Sequence, residues 1–501
     1  MAIIWIAFHL LKMIYNISPI HPLYHIPGPK LAAVSYLEEL YHDVILHGRY
    51  THEIRKMHKR YGPIVRINPN EVHCNDPSFV DEIYAVGGRK RDKPIHQVNM
   101  TVIRNSGFGT VDHDLHRARR SSVAKFFSRG MIARLEGDIA AMTQKMCDKI
   151  LAQGAAPFDV AVACSNLTTD VISGYCFGET FGLLDRPGWK PNFRDPTMST
   201  LRYMFMFRFW PFLKGPTKIG VWFVDMLPDE TALLVRTMQI DIPAKVKKAI
   251  DDWNAGIVYE KPTIVGAIMD SDLSAEEKRP ERVADDALAV VGAGTETTAW
   301  ALAVITYHLK TMPEMLERLN NELQEVVHDP RQLPSWTVLE RLPYLSAVIQ
   351  EGLRLSLGVS GRTARIPTEE SLSYRGKWQG KEVHHVLPKG YAIGMTSAIT
   401  HYDEAVFEDP MKFDPERWLR PERRKVLDSG MLMFSKGSRA CLGMNLALCE
   451  LHLALVALTL RVFPHIRLYQ TTEEDLRYDY DMLIPMPKVG TNGVRAILAT
   501  E

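Results

Sequence analysis

Phe434-Ser435-Lys436-Gly437-Ser438-Arg439-Ala440-Cys441-Leu442-Gly443 is the stretch on which the reading of this chain turns. It fits F-x-x-G-x-R-x-C-x-G at every defined position, so an aromatic ring, two glycines, a cation and a thiol are set around one another. A lone cysteine is most often a buried structural residue. The company of Cys441 argues instead for an iron ligand. Gly437 and Gly443 let the backbone turn where a side chain would collide with a flat macrocycle. Cys441 offers a thiolate, whose electron density favours cleavage of the O–O bond in iron-bound oxygen. Arg439 can meet a macrocycle carboxylate through a charge-assisted hydrogen bond. Phe434 packs near the sulfur and limits water there, which tunes the redox potential of the iron.

Working outward, Arg282 to Met312 is the longest helical stretch, and Pro313 stops it. It contains Ala293-Gly294-Thr295-Glu296-Thr297-Thr298. Val290, Ala293, Gly294, Thr297 and Ala301 share one face at helical spacing, and their side chains are small. Such a face suits either close helix packing or a flat group lying against the backbone, and it sets a hydroxyl beside a carboxylate. Further on, Glu351 and Arg354 are three apart on a helix that begins at Pro343, close enough to pair. That pattern is weak alone and gains force from Pro415-Glu416-Arg417-Trp418. Before the long helix, His116 and Arg120 lie four apart on one helical face. Two donors so placed can hold a carboxylate, although a basic helical face is more often simply solvated.

These motifs, in this order, resemble the cytochrome P-450 family from about Pro27 to the C-terminus. The resemblance implies one mainly α domain with a smaller β-rich side. It implies haem b with Cys441 as the axial thiolate, cradled by Phe434, Gly437, Arg439 and Gly443. Gly294 would lie over the distal haem face, and Glu296 and Thr297 would relay protons to iron-bound oxygen. His116 and Arg120 match the family's W-x-x-x-R propionate element, with His116 in the tryptophan position. Arg362 and Arg365 are further propionate candidates, of which Arg365 is favoured. Glu351, Arg354 and Arg417 would form a buried network, stabilising only if fully satisfied. The loop from Pro94 to His113 would cover the substrate, offering His96, Asn99, Thr101 and Arg104. Val359, Met482 and Leu483 would add apolar contacts. The first hundred residues are most similar to fungal members of secondary metabolism, trichodiene oxygenase among them. Insertion of one oxygen atom of dioxygen into an apolar small molecule, a terpenoid or polyketide intermediate, is therefore expected. NADPH–cytochrome P-450 reductase would supply the electrons. A haem-thiolate isomerase, dehydratase or peroxygenase, or a non-catalytic haem sensor, are the alternatives. Neither needs the Glu296–Thr297 pair.

Composition sets the outer bounds. The chain has 501 residues, 46% of them hydrophobic, and a formal net charge of +1, which gives no case for nucleic-acid binding. Its six cysteines lack C-x-x-C spacing, which argues against a zinc site and fits a reducing compartment. Residues 1–18 are apolar and aromatic, broken by His9 and Lys12, and read as a membrane anchor slightly shorter than a full span. Residues 19–30 are proline-rich and read as a stiff hinge, leaving 31–501 as the catalytic domain. The expected location is the endoplasmic reticulum membrane, with the catalytic domain facing the cytosol.

Overall fold

The computed structural model describes every residue except 191, 260, 500 and 501. Its axis is the helix Pro280–Thr311, 32 residues long. Proline at the first position, where no amide donor is needed, starts it, and Pro313 opens the next helix, Pro313–Gln324. Against it packs Val160–Phe177, in which every residue but Gly174 is buried. Asp159 caps that second helix by accepting from the Ala161 and Val162 amides, and Gly178 ends it at a left-handed φ of 82°.

Two helices this deeply buried need their polar side chains satisfied. Thr168 Oγ1 donates to the Thr295 carbonyl at 2.6 Å, and Thr169 Oγ1 meets Thr295 Oγ1 at 3.1 Å. These bonds fix the register of the two helices at the A-G-T-E-T-T segment. A Cβ added at Gly294 would stand 2.9 Å from Ile172 Cγ1, so the missing side chain there lets the helices approach. Gly294 thus has a packing role beside the one expected of it. The small-residue surface left open belongs to its neighbours Gly292 and Ala293, which are exposed in the middle of a core helix.

The β-rich side is small, as expected. Ile64–Asn68 pairs antiparallel with Glu71–Cys74, which pairs in parallel with Ala392–Gly394. Leu372–Trp378 and Lys381–Leu387 form a hairpin, and Tyr480–Met482 with Ile484–Met486 form a last one that turns at Leu483. The helix Tyr50–Tyr61 ends at Gly62, whose φ of 104° suits glycine. Pro94 to His113 is mostly irregular but holds one helical turn, Ile95–Val98.

The proline-rich connector packs against the domain that follows it. Leu23 and Ile26 are buried in the core cluster of the β side. Arg66 Nη1 donates to the carbonyl of Asn16 at 2.9 Å, and Asn16 Nδ2 donates to the carbonyl of Val34. The N-terminal helix Ala2–Ile17 is therefore clamped to the catalytic domain at its C-terminal end, while Ile3, Ile4, Trp5, Phe8 and Leu11 are exposed. Among the described residues, two helices, Pro280–Thr311 and Met444–His465, are long and apolar enough to cross a membrane, but most of each is buried in the fold.

Candidate active site

The cysteine stretch folds as a tight loop closed on itself. The Cys441 amide donates to the Phe434 carbonyl at 2.8 Å, and the Ala440 amide to the Gly437 carbonyl at 3.0 Å. Gly437 has φ 75°, and a Cβ there would lie 2.1 Å from the carbonyl oxygen of Tyr84. Only glycine fits here, because the loop presses against the Tyr84–Ala85 backbone. Gly443 caps the helix Met444–Ala457, which leads away from the thiol. Burial pushes the Cys441 thiol up, while the Gly443 amide and the charge of Arg120 pull it back toward thiolate.

Cys441 is surrounded by protein on most sides yet retains open surface. Those two facts agree if the thiol faces a cleft. Gly292 and Ala293 are likewise open in a helix that is otherwise core. A thiol with a cleft before it, a helix face without bulk and a set of buried cations fit a haem. Cys441 would ligate its iron.

The cations divide by what they already bind. Arg439 donates to the carbonyls of Arg91, Thr110, Val111 and Asp112, which takes four of its five N–H groups. It is chiefly a clamp on the loop before the helix His113–Ala124, with one N–H left for a carboxylate. Arg120 donates to the Ala440 carbonyl at 2.8 Å, which places it beside the thiol. Arg362 is drawn away altogether, onto Glu39 at 2.7 Å and Asp43 at 2.9 Å. Arg365 donates to the carbonyls of Thr363 and Ala364 through Nη1, and its guanidinium lies 5.3 Å from the Tyr84 ring centroid. His116 is held neutral, its pKa lowered to about 2 by burial and by Arg439, Lys93, Arg120 and Arg365.

The network around Glu351 is complete. Arg354 pairs with both its oxygens, at 2.7 and 2.9 Å, Arg417 Nε reaches Oε1 at 3.1 Å, and the Asp414 amide donates at 2.9 Å. Trp418 Nε1 donates to Oε2 at 2.9 Å, a partner that sequence reasoning missed. Burial alone would raise the Glu351 pKa, but Arg354 and Arg417 outweigh it and hold it below the usual range.

On the distal side, Thr297 Oγ1 donates to the Ala293 carbonyl at 3.1 Å, and Glu296 forms an ion pair with Arg194 of the helix Arg194–Leu201. The Arg194 guanidinium also lies 5.5 Å from the Trp300 ring centroid. Arg194, Met198, Glu296, Thr297, Trp300 and the strand Ile484–Met486 line one pocket. Nothing in the sequence around Arg194 signals this role. The expected pocket loop gives little in exchange. His96 turns to Glu39 at 3.0 Å, Thr101 is buried with its carbonyl bound by Lys214, and Arg104 is exposed.

Residues 40–488 match the family model described as cytochrome P-450. This chain belongs to the cytochrome P-450 family. It is 38% identical over 454 residues to the cytochrome P-450 monooxygenase ppzE of Metarhizium majus, covering 87% of this chain and 95% of that one. It is 36% identical over 506 residues to the conidiogenone synthase of Penicillium rubens, covering 100% and 99%. It is 35% identical over 483 residues to the tryptophan 6-hydroxylase fscE of Fusarium equiseti, covering 95% and 92%. As a cytochrome P-450 it is an oxidoreductase with a monooxygenase role and uses haem iron with a cysteine thiolate as axial ligand. The family implies an electron-donating partner, a substrate and dioxygen.

Proposed function

We propose that this cytochrome P-450 inserts one oxygen atom into an apolar small molecule, a terpenoid or polyketide intermediate of fungal secondary metabolism. The observation that carries this reading is the pocket itself. A carboxylate and a hydroxyl, Glu296 and Thr297, stand at one wall, and Met198, Trp300, Ile484 and Pro485 supply apolar surface around them. Apolar contact of this kind gains roughly 25 cal/mol per Å² buried. The bound haem supplies the dioxygen chemistry. The chain's own residues hold and move protons. Thr297 spends its proton on the Ala293 carbonyl, which leaves its oxygen able to accept. Glu296, paired with Arg194, is the group that takes protons from solvent and passes them inward.

Electrons would come from NADPH–cytochrome P-450 reductase. Arg120 sits beside the thiol, and Arg117 and Lys125 are exposed on the same helix and just past its end, which gives an acidic donor a cationic face near the cysteine loop. The N-terminal helix of 16 residues spans roughly 24 Å, less than the ~30 Å of a bilayer core. Phe212, Trp222, Phe223 and Met226 are also exposed, and such a patch adds to the hold on a membrane. The location proposed is the endoplasmic reticulum membrane with the catalytic domain in the cytosol.

Screening terpenoids, polyketides and fatty acids for a blue shift of the Soret band, followed by turnover with reductase, tests the reading. Binding and oxidation of neutral apolar compounds are expected. If only charged acids shift the band, and Arg194→Met abolishes the response, the apolar reading fails.

A further inference from the structure

The pocket around Glu296 and Thr297 is apolar except at one end, where Arg194 joins Met198, Trp300 and the strand Ile484–Met486 in lining it. A bare hydrocarbon has no use for a guanidinium, because N–H groups buried against carbon lose their water and gain no partner. Arg194 therefore needs a reason beyond apolar binding. Either it serves Glu296 alone, or it also holds the substrate.

The residue is set firmly in place. Asn192, fully buried, ties down the start of its helix: Oδ1 accepts from the Asp195 amide at 3.0 Å, and Nδ2 donates to Asp195 Oδ2 at 3.2 Å. Phe193 is buried in a cluster with Leu183 and Leu234. Met198 lies four residues further on, so it shares a helical face with Arg194, and both line the pocket. The Trp300 ring centroid, 5.5 Å from the guanidinium, backs it on another side. The Arg194 side chain is 13% exposed, enclosed without being sealed.

Most of its hydrogen-bonding capacity is unspent. A guanidinium has five N–H groups. Nη1 faces Glu296 Oε1, and among the described residues no carbonyl, hydroxyl or amide oxygen accepts from the other two nitrogens. Glu296 Oε2 is buried with no hydrogen-bond partner among the described residues. That oxygen is the one free for the proton relay, so what the pair offers a substrate is the donors of Arg194. A substrate carboxylate would stand beside the charge of Glu296, and like charges in an enclosed site repel. A carbonyl or hydroxyl oxygen accepts from the guanidinium without that penalty.

We propose that Arg194 is the specificity-determining residue of this pocket, donating a hydrogen bond to a neutral carbonyl or hydroxyl oxygen of the substrate, so that the chain oxidises skeletons that already carry oxygen. The inference rests on the apolar monooxygenase reading above and narrows it. A site that hydrogen-bonds an oxygen rejects the analogue lacking it far more strongly than an apolar pocket rejects the analogue that has it. The bare hydrocarbon would strip water from Arg194 and return nothing. An earlier reaction must then have installed the oxygen, by oxidation or by a cyclisation that water ends.

The test is binding to the full-length haem-loaded protein, read as a blue shift of the Soret band, with four probes on one carbon frame: decalin, decalone, decalol and decalin carboxylic acid. The ratio of ketone to hydrocarbon affinity, compared between parent and variant, cancels the differing solubilities of the probes. Arg194→Met should lower that ratio roughly ten- to a hundredfold, the loss expected for a hydrogen bond to a charged donor. The alcohol should behave as the ketone does. Arg194→Lys keeps a charged donor and should retain most of the preference. Because Arg194→Met strands a buried carboxylate, the double variant Arg194→Met with Glu296→Gln removes both charges and carries the test if the single variant does not fold. An unchanged ratio in the methionine variants would mean that Arg194 serves Glu296 alone; the proposal would be wrong while the apolar reading stood. A parent that prefers the acid to all three neutral probes would overturn the apolar reading itself, and this inference with it.

Discussion

Arg354→Ala is the perturbation whose size the structure fixes best. Arg354 is fully buried and makes five hydrogen bonds, two to Glu351 and one each to the carbonyls of His401, Pro410 and Lys412. Removing it leaves the Glu351 carboxylate buried with one cation fewer, a loss of about 3–5 kcal/mol for a broken buried pair. Arg417 Nη2 still reaches the Lys412 carbonyl at 3.4 Å, so two carbonyls lose this donor outright. Each buried carbonyl left unmatched adds about 1–3 kcal/mol. The sum, roughly 5–11 kcal/mol, is comparable with the whole stability of a typical domain, about 5–15 kcal/mol. The variant should therefore accumulate little haem-loaded protein, and what folds should melt far lower. Arg354→Lys keeps the charge but not the fork that meets both carboxylate oxygens, and should fall between the two. Haem content per polypeptide and a thermal melt at matched protein concentration are the assays. A fully loaded Arg354→Ala protein melting within a few degrees of the parent would refute the claim that this network holds the core together.

Other outcomes follow from the same geometry. Thr297→Val and Glu296→Gln should keep haem content while product per electron falls, by up to ~100-fold or more for a lost proton relay. Full coupling in either variant would assign these residues to packing. Removing residues 1–15 should weaken membrane sedimentation and preserve the haem spectrum, whereas starting at Ile26 should also cost about 1.5–3 kcal/mol through loss of the fully buried Leu23. Equal stability of the two truncations would contradict the packing of the connector. Burial and the nearby Asp43 carboxylate raise Asp481 from 3.8 to about 6. A raised carboxyl supports folding fully below its unfolded pKa and loses that support as pH rises through 6. Asp481→Asn should thus be more stable than the parent at pH 8 by roughly 3 kcal/mol, a gain that shrinks toward pH 4.5. A pH-independent difference would remove Asp481 as its cause.

What the sequence shows of this cytochrome P-450 is what short range decides. The cysteine loop, the helix stop at Pro313 and the Glu351–Arg354 pair each depend on a few neighbouring residues. Arg417 joins them because its motif stands beside theirs in order. Roles that depend on distant contacts were harder to read. Nothing near Gly294 in sequence signals that Ile172 packs against it. Arg365 is favoured over Arg362 from sequence, but the partners that claim Arg362, Glu39 and Asp43, lie more than 300 residues earlier. Arg194 has no motif at all, and its place depends on a short helix laid across Glu296. Trp418 was legible in principle, since a tryptophan in that element brings a donor that a phenylalanine lacks.

The central claim is that Cys441 is the thiolate ligand of a catalytic haem. The carbon monoxide complex of the reduced protein measures it most directly, in the parent and in Cys441→His. The account predicts the strongly red-shifted Soret band in the parent and its loss in the variant with haem still bound. Persistence of the shifted band in Cys441→His would mean that another residue ligates the iron.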